Sequence, residues 1–229
     1  LNDYGVNIEE HTQFYSGIYW LNYIFEFLGI NNLDIEVKKL LNQVSLDKQL
    51  PDPSTYTYGP VYDVPIAFIE VLLSKNNQSL SYEQRHFFIF LFFYISSFCF
   101  YKILEKRFEN FFISFFGLII FIFSPRIYGD SFHNNKDIIF LSLTVASIYF
   151  AFKIFEKKKL KNILLFSFFS ALMTSTRIMG IFIPFSVILF IFLNDFNNKK
   201  SIKYIFLIIS FYILFLILHW PFLWEAPIR

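Results

Sequence analysis

The chain has 229 residues, of which 55% are hydrophobic and 17% are charged, and its formal net charge is +2. A mean hydropathy of +0.48 and several uninterrupted apolar runs exclude an ordinary soluble domain and indicate a polytopic helical membrane protein. The single cysteine, Cys99, excludes an intrachain disulfide and a cysteine-based metal site. The chain starts without Met and stops just after an apolar run, so we expect a fragment of a longer protein.

The first part of the chain, residues 1–85, is predicted to be an extracytoplasmic loop domain that lies against the bilayer. It holds most of the acidic residues and the first turn signals. Residues 17–28 and 61–73 are apolar with spaced polar positions, which predicts interfacial helices, the second one kinked at Pro65. Residues 33–44 predict a charged helix of soluble appearance.

Three polar residues near this boundary have a structural interpretation. Asp63 and Glu70 are expected to form the solvated face of the 61–73 helix. His86, at the entry of the first apolar run, is expected to be an interfacial residue and not a catalyst.

The second part, residues 86–229, is predicted to be a transmembrane bundle of about six spans, because apolar runs alternate there with short polar connectors. The predicted spans are 87–104, 109–124, 137–154, 162–177, 179–194 and 202–219.

The connectors differ sharply in positive charge, and this difference predicts the orientation of the chain. One set of connectors carries Lys102, Lys106, Arg107, Lys153, Lys157, Lys158, Lys159, Lys161, Lys199, Lys200 and Lys203. The opposite set carries Arg126, Lys136, Arg177 and Arg229. Cytoplasmic loops are enriched in Lys and Arg, so the first set is expected in the cytoplasm and the second set on the outer face.

Two clusters on the predicted outer face contain residues that can carry chemistry. Residues 124–137 form a polar block between two apolar runs, with two carboxylates, two cations, a histidine and adjacent asparagines. Glu9 and Glu10 are followed by His11, a group that can supply a general base or bind a metal. The structural alternative is that these acids, and Asp137 in the block, only cap or stabilise helix starts.

The polar block resembles a segment of the GT-C superfamily of membrane glycosyltransferases. Its letters, SPRIYGDSFHNNKDIIF, are similar to the corresponding segment of glycosyltransferase family 39, the protein O-mannosyltransferase and aminoarabinose-transferase branch that uses phospholipid carriers. Three weaker segments resemble the same family in the same order: Glu9–Glu10 with Gly17, residues 172–181 with Pro184, and residues 219–224 with Pro227. Two departures from the family pattern are Glu9 in place of Asp and Asn135 in place of Pro.

The resemblance implies an all-α, polytopic transmembrane helical bundle of the GT-C type, with a large extracytoplasmic first loop of amphipathic juxtamembrane helices. It implies transfer of a sugar from a polyprenyl or dolichyl phosphate to a hydroxyl acceptor, with inversion, at the outer face. The catalytic residues would be Glu9 as general base, Glu10 as its neighbour and Asp137 as an orienting group. The donor phosphate and sugar would be bound by Arg126, His133, Asn135, Lys136 and Arg177.

The resemblance also implies partners. The partners are a lipid-linked sugar donor, a hydroxyl acceptor on a protein or glycolipid, and membrane lipids, and no nucleic acid is expected. No cofactor is required, although Glu9, Glu10 and Asp137 are compatible with a divalent cation. The composition favours the bacterial inner membrane as the location, and the connector charges predict an active site that faces the periplasm.

Two other functions compete with the transferase. A transporter or flippase for lipid-linked or small polar substrates predicts charged residues near the middle of several spans, and the predicted spans contain few. A non-catalytic membrane module that binds a partner predicts that Glu9, Lys136 and Asp137 can be replaced freely.

Overall fold

The computed structural model describes residues 8–30, 57–73, 78–195 and 199–225, and the regular structure in these ranges is helical. The all-α class predicted from the sequence is confirmed. The helix predicted over residues 33–44 lies outside the described residues.

The helices are named here in chain order. They are α1 (Ile8–Leu28), α2 (Asp63–Leu73), α3 (Gln78–Phe108), α4 (Phe111–Ile122), α5 (Pro125–Asp130), α6 (Asp137–Glu156), α7 (Leu160–Thr176), a 3₁₀ turn (Ile178–Ile181), α8 (Phe182–Asp195), α9 (Lys199–His219) and α10 (Phe222–Glu225).

Three of these helices are long and apolar enough to cross a membrane, as judged by length and composition. They include residues Tyr82–Phe108 of α3, Asp137–Glu156 of α6 and Ser201–His219 of α9. The apolar helices α4, α7 and α8 are shorter, although each overlaps one of the predicted spans. The number of six spans therefore stays a prediction.

Helix α7 lies at the centre of the bundle, packed against α6 and α9, and α6 also packs against α3. Small and hydroxylated side chains allow this close packing: Ser147 and Ser170 are hydrogen bonded at 2.7 Å between α6 and α7. Between α7 and α9, the Ser167 hydroxyl donates to the carbonyl of Ile208 and Tyr212 donates to Thr174. Such polar contacts between helices stabilise association where apolar burial alone gives little preference for one partner.

Helices α1 and α2 form a second packing unit. Phe14, Ile18, Leu21 and Phe25 are buried on α1, in one cluster with Ala67 and Val71 of α2. The spacing of the four α1 residues follows one helical face, which explains why this stretch folds as a helix and which side of it is covered. Helix α1 begins at Ile8, nine residues earlier than the predicted start of the interfacial helix.

Pro65 does not kink a helix. Helix α2 begins at Asp63, so Pro65 occupies its first turn, where a backbone N–H has no intrahelical partner in any case. The prediction of a helix that starts at residue 61 and is kinked at Pro65 is therefore corrected. The neighbouring amides of Val64 and Ile66 donate to the carbonyls of Pro60 and Tyr62.

Helix α3 is continuous from Gln78 to Phe108 and passes through the predicted domain boundary between residues 85 and 86. Its first turns contact the α1–α2 unit, and its later turns pack against α4 and α6. The division into an extracytoplasmic domain and a bundle stays a prediction.

Candidate active site

A cavity of about 150 Å³ lies where the α1–α2 unit meets the end of the bundle. Its walls come from α1, from the segment that leads into α2, from the connector before α6 and from the last residue of α7. The lining residues are Thr12, Gln13, Ser16, Tyr58, Gly59, Tyr62, Asp63, Asn135, Lys136 and Thr176. The cavity thus gathers polar residues that are far apart in the sequence.

Two glycines allow the backbone segments around this cavity to approach each other. The Gly59 amide donates to the carbonyl of Ser175 at 2.8 Å, and a Cβ atom on Gly59 would lie 2.5 Å from that of Ser175. A Cβ atom on Gly17 would lie 2.6 Å from the carbonyl oxygen of Asp63. Glycine is therefore required sterically at both positions. The indole of Trp220 also donates to the carbonyl of Thr57 and joins the end of α9 to the same segment.

Asp63 is the carboxylate among the cavity-lining residues, and only 17% of its side chain is exposed. Burial raises its pKa to about 7, because the attraction of Arg85 and Lys136 offsets the desolvation only in part and Glu70 repels the charge. An acid with this pKa exchanges protons readily near neutral pH. The prediction that Asp63 belongs to the solvated face of α2 is therefore wrong. Its surroundings include Arg85 of α3, and the periodicity of α2 alone does not reveal this neighbour.

Glu70 is also buried, with 5% exposure, which corrects its predicted place on the solvated face. Its two oxygens accept hydrogen bonds of 2.6 and 2.7 Å from the Arg85 guanidinium, which is fully buried. The Arg85 Nη1 atom also lies 3.9 Å from Asp63. Tyr62 donates to the Arg85 carbonyl at 2.6 Å, and burial raises the pKa of this phenol, so it remains a donor. These contacts fix α2 against the start of α3.

Glu10 is fully buried, and one of its carboxylate oxygens lies 3.0 Å from Nε2 of His86. This contact joins α1 to α3. The backbone of Glu9 belongs to α1, whereas its side chain lies outside the described part of the structure. The catalytic roles predicted for Glu9 and Glu10 stay predictions.

Asp137 lies in the first turn of α6 and binds two partners from different parts of the chain. Its Oδ1 accepts a hydrogen bond from Nη2 of Arg177, and its Oδ2 accepts one from Asn134 at 3.2 Å. The Asn134 Oδ1 atom in turn accepts a hydrogen bond of 2.9 Å from the backbone amide of Asp137. The Nε atom of Arg177 is buried and has no hydrogen-bond partner in the described part of the chain. The pair therefore joins two of the predicted site residues beside Thr176, and it leaves one arginine donor available.

Asn135 and Lys136 line the cavity, and their predicted roles in substrate binding stay predictions. Asn135 is 5% exposed, and its buried Nδ2 has no hydrogen-bond partner among the described residues. The same holds for the Oε1 atom of Gln13, on the α1 side of the cavity. Buried polar groups are nearly always hydrogen bonded, so these two amides suit a polar ligand between them. Lys136 Nζ lies 4.7 Å from the centre of the Tyr58 ring.

Arg126 and His133 lie elsewhere in the connector, around Asp130. Arg126 is 90% exposed, and its Nε is 3.8 Å from the Asp130 carboxylate. His133 Nε2 is 3.9 Å from the other oxygen of that carboxylate. Neither residue is among the cavity-lining residues that the structure describes. The structure therefore brings Asn135, Lys136 and the Asp137–Arg177 pair to one place, with Arg126 and His133 in a separate cluster.

Gln13, Asp63 and Arg85 are not among the residues that the sequence predicts for the site. The sequence offers a positional signal for Asp63, which lies three residues after Pro60 and seven residues before Glu70 on the same helical face. Within the described residues, no group of three or more His, Cys, Asp or Glu side chains is arranged to hold a metal ion.

An apolar helical bundle with a polar cavity at one end of its helices is typical of an integral-membrane protein with a binding site at the membrane surface. The family model for dolichyl-phosphate-mannose-protein mannosyltransferase matches residues 60–224, and the chain belongs to this family. It is therefore a membrane glycosyltransferase of the kind that uses a lipid-phosphate-sugar donor, which confirms the resemblance found in the sequence. No curated protein and no solved structure matches the chain.

Proposed function

We propose that the cavity binds the sugar phosphate of a polyprenyl- or dolichyl-phosphate donor and that the enzyme transfers the sugar to a hydroxyl acceptor with inversion. The observation that carries the proposal is the cavity itself, in which Asp63 and the α1 side chains meet Asn135 and Lys136 of the connector. An inverting displacement needs a carboxylate near the acceptor and positive charge near the leaving phosphate. Family membership favours this transferase over a transporter.

The general base in this proposal is Glu9. Thr12, Gln13 and Ser16 line the cavity from α1. Position 9 precedes them by three, four and seven residues, so it belongs to the same helical face. Position 10 is turned about 100° away on the helix, which agrees with the pairing of Glu10 and His86. Glu9 would take the acceptor proton while the acceptor oxygen bonds to the anomeric carbon and the bond from that carbon to the phosphate oxygen breaks.

Asp63 is the second carboxylate of the proposed site. It would accept a hydrogen bond from a sugar or acceptor hydroxyl and orient that group toward Glu9. Its ionised form accepts this bond best, and with a pKa of about 7 the ionised form is well populated at neutral pH.

Lys136 and Asn135 would bind the donor phosphate and sugar, together with the Nε donor of Arg177, which has no hydrogen-bond partner among the described residues. Charge-assisted hydrogen bonds from such groups stabilise the negative charge that develops on the leaving phosphate. Asp137 would act through Arg177, which it holds by an ion pair, and so would be a positioning residue. Arg126 and His133 lie outside the cavity lining, and they would contact the donor as it approaches the cavity.

The lipid chain of the donor would lie in an adjacent apolar groove of about 210 Å³ between α2 and α3. Tyr62 lines both this groove and the cavity, so the two are neighbours. The groove is lined by apolar side chains such as Pro65, Phe88 and Ile139, which suit an isoprenoid chain.

The reaction would take place on the outer face of the membrane, in the periplasm if the protein is in a bacterial inner membrane. The support is the excess of lysine and arginine in the connectors at the opposite ends of the spans. The acceptor would be a hydroxyl on a protein or a glycolipid.

The test is transfer of radiolabelled sugar from a polyprenyl-phosphate donor by the full-length protein in membranes. We expect Glu9→Gln to lower the transfer rate by about 100-fold or more, because a general base is lost. Asp63→Asn should lower it less, since an amide still forms one hydrogen bond. Glu10→Gln, the matched neighbour, should retain the rate but lower thermal stability. Equal rates for Glu9→Gln and wild type would contradict the base assignment, and no wild-type transfer with any lipid-linked sugar would contradict the function.

A further inference from the structure

A large groove lies at the lysine-rich end of the bundle, opposite the candidate active site. Its volume is about 920 Å³, and it is formed by the last turns of α3 and α6. Its lining contains five cationic side chains, Lys102, Lys106, Arg107, Lys153 and Lys157. The two carboxylates in its lining are Glu105 and Glu156.

The carboxylates neutralise only part of this charge. Lys102 is paired with Glu105 at 2.8 Å, and Glu156 is paired with both Lys106 and Lys153. The Lys106–Glu156 pair also joins α3 to α6 across the groove. The lining contains three more cations than carboxylates, so the groove carries a net positive charge that attracts an anion.

Arg107 and Lys157 are the two lining cations that take no part in these ion pairs. Within the described residues, neither side chain has a carboxylate within ion-pair distance. They lie at the C-terminal ends of α3 and α6, on opposite sides of the groove. Cations at helix C-termini also interact favourably with the helix dipole. Both can reorient toward a ligand without breaking an ion pair.

The walls below the charged rim are apolar. Ile103, Tyr149 and Phe152 line the groove, and 43% of Phe152 is exposed. The ring of Tyr149 also supports Lys153 Nζ at 5.5 Å from the ring centre. A free inorganic anion would make no use of these walls, whereas the upper part of an acyl chain would cover them.

We propose that this groove binds the headgroup of an anionic glycerophospholipid, with the phosphate between Arg107 and Lys157 and an acyl chain against Tyr149 and Phe152. Positive charge at the ends of apolar spans, above an apolar wall, matches the order of phosphate and acyl chain in a bilayer lipid. The bound lipid bridges α3 and α6 at the end of the bundle remote from the cavity.

The test is titration of the delipidated full-length protein in detergent with phosphatidylglycerol and, separately, with phosphatidylcholine, followed by native mass spectrometry. We expect the wild type to bind phosphatidylglycerol more tightly. Arg107→Gln with Lys157→Gln should weaken phosphatidylglycerol binding by about fivefold for each charge removed. The matched control, Lys159→Gln with Lys161→Gln, removes two cations at the same end of the bundle but outside the groove lining, and it should leave the affinity unchanged.

Three outcomes would overturn the proposal. Equal weakening in the groove and control variants would mean diffuse attraction to the lysine-rich surface. Equal binding of phosphatidylcholine would mean that the groove does not select for the negative charge of the headgroup. Displacement of the lipid by inorganic phosphate at similar concentration would mean an anion site without a lipid. Circular dichroism of both variants checks that the helices remain intact.

Discussion

Asp63 and Glu70 lie on the same helix and near the same arginine, yet their electrostatic environments differ. Glu70 forms two short hydrogen bonds to Arg85. Asp63 has only a 3.9 Å approach to the same guanidinium and lines the cavity. Removing a partner from a buried pair such as Arg85–Glu70 leaves an uncompensated charge, so this pair has a structural role. Asp63, with weaker compensation, can exchange protons with a ligand.

The raised pKa of Asp63 predicts a pH dependence of stability. Between its ordinary value of 3.8 and its folded value of about 7, the folded protein retains a proton that the unfolded chain has lost. Stability from this group is therefore present at acidic pH and is lost as the pH rises toward 7, by roughly 4 kcal/mol for a pKa difference of this size.

We expect Asp63→Asn to reduce this loss of stability with rising pH, because the asparagine side chain does not ionise. The measurement is the thermal midpoint in detergent across that pH range, and the variant should gain relative to the wild type as the pH rises. Asp63→Glu keeps a titrating carboxylate and serves as the control. Parallel curves for wild type and Asp63→Asn would contradict the buried environment of Asp63.

At the scale of single residues, the sequence predicts the common location of candidate site residues that are neighbours in the chain, and their catalytic and binding roles stay predictions. Asn135, Lys136 and Asp137 lie in one short connector, and their common location follows from that. Asp63 and Gln13 reach the cavity through packing between helices, which no local pattern encodes. Arg85 lies just before the first apolar run, and only its partners on α2 explain why this charged side chain is fully buried.

At the scale of helices, the long apolar runs predicted helices where the structure has them after residue 86, because each run exceeds the length of an average helix. Apolar periodicity located the α1–α2 unit less well. The polar start of α1 hides the helix, although Phe14 and Ile18 continue the buried face. No sequence signal shows where α2 begins, and proline is disruptive in a helix interior but harmless in a first turn.

The close contact of α1 and α2 predicts a steric effect at Gly17. Gly17→Ala would place a methyl group 2.6 Å from the carbonyl oxygen of Asp63. We expect a loss of about 1–3 kcal/mol in stability, seen as a lower thermal midpoint, and a lower transfer rate, because Asp63 must move.

Gly129→Ala is the matched control for this substitution. Gly129 is also helical, and a Cβ atom there meets nothing within 4 Å. Alanine should be neutral or slightly stabilising at this position, since it favours helix more than glycine does. Equal midpoints for the two variants would contradict the close approach of α1 to Asp63.

At the scale of the whole molecule, the two ends of the bundle have different chemistry. One end carries the cavity with Asp63, Asn135 and Lys136, and the other carries the cationic groove. The distribution of lysine in the connectors predicted this asymmetry, because helices that alternate in direction bring every second connector to the same end. The shape of the cavity could not be predicted, since it depends on how α1 and α2 close over the connector before α6.

The most direct measurement is binding of polyprenyl phosphate to the purified full-length protein, comparing wild type with Lys136→Gln. The account predicts saturable binding that Lys136→Gln weakens at least about tenfold, the loss expected for one charge-assisted hydrogen bond. Lys161→Gln, an exposed lysine at the opposite end of the bundle, should bind as the wild type does. Equal affinity in Lys136→Gln and wild type, with unchanged thermal midpoints, would contradict the assignment of the cavity as the donor site.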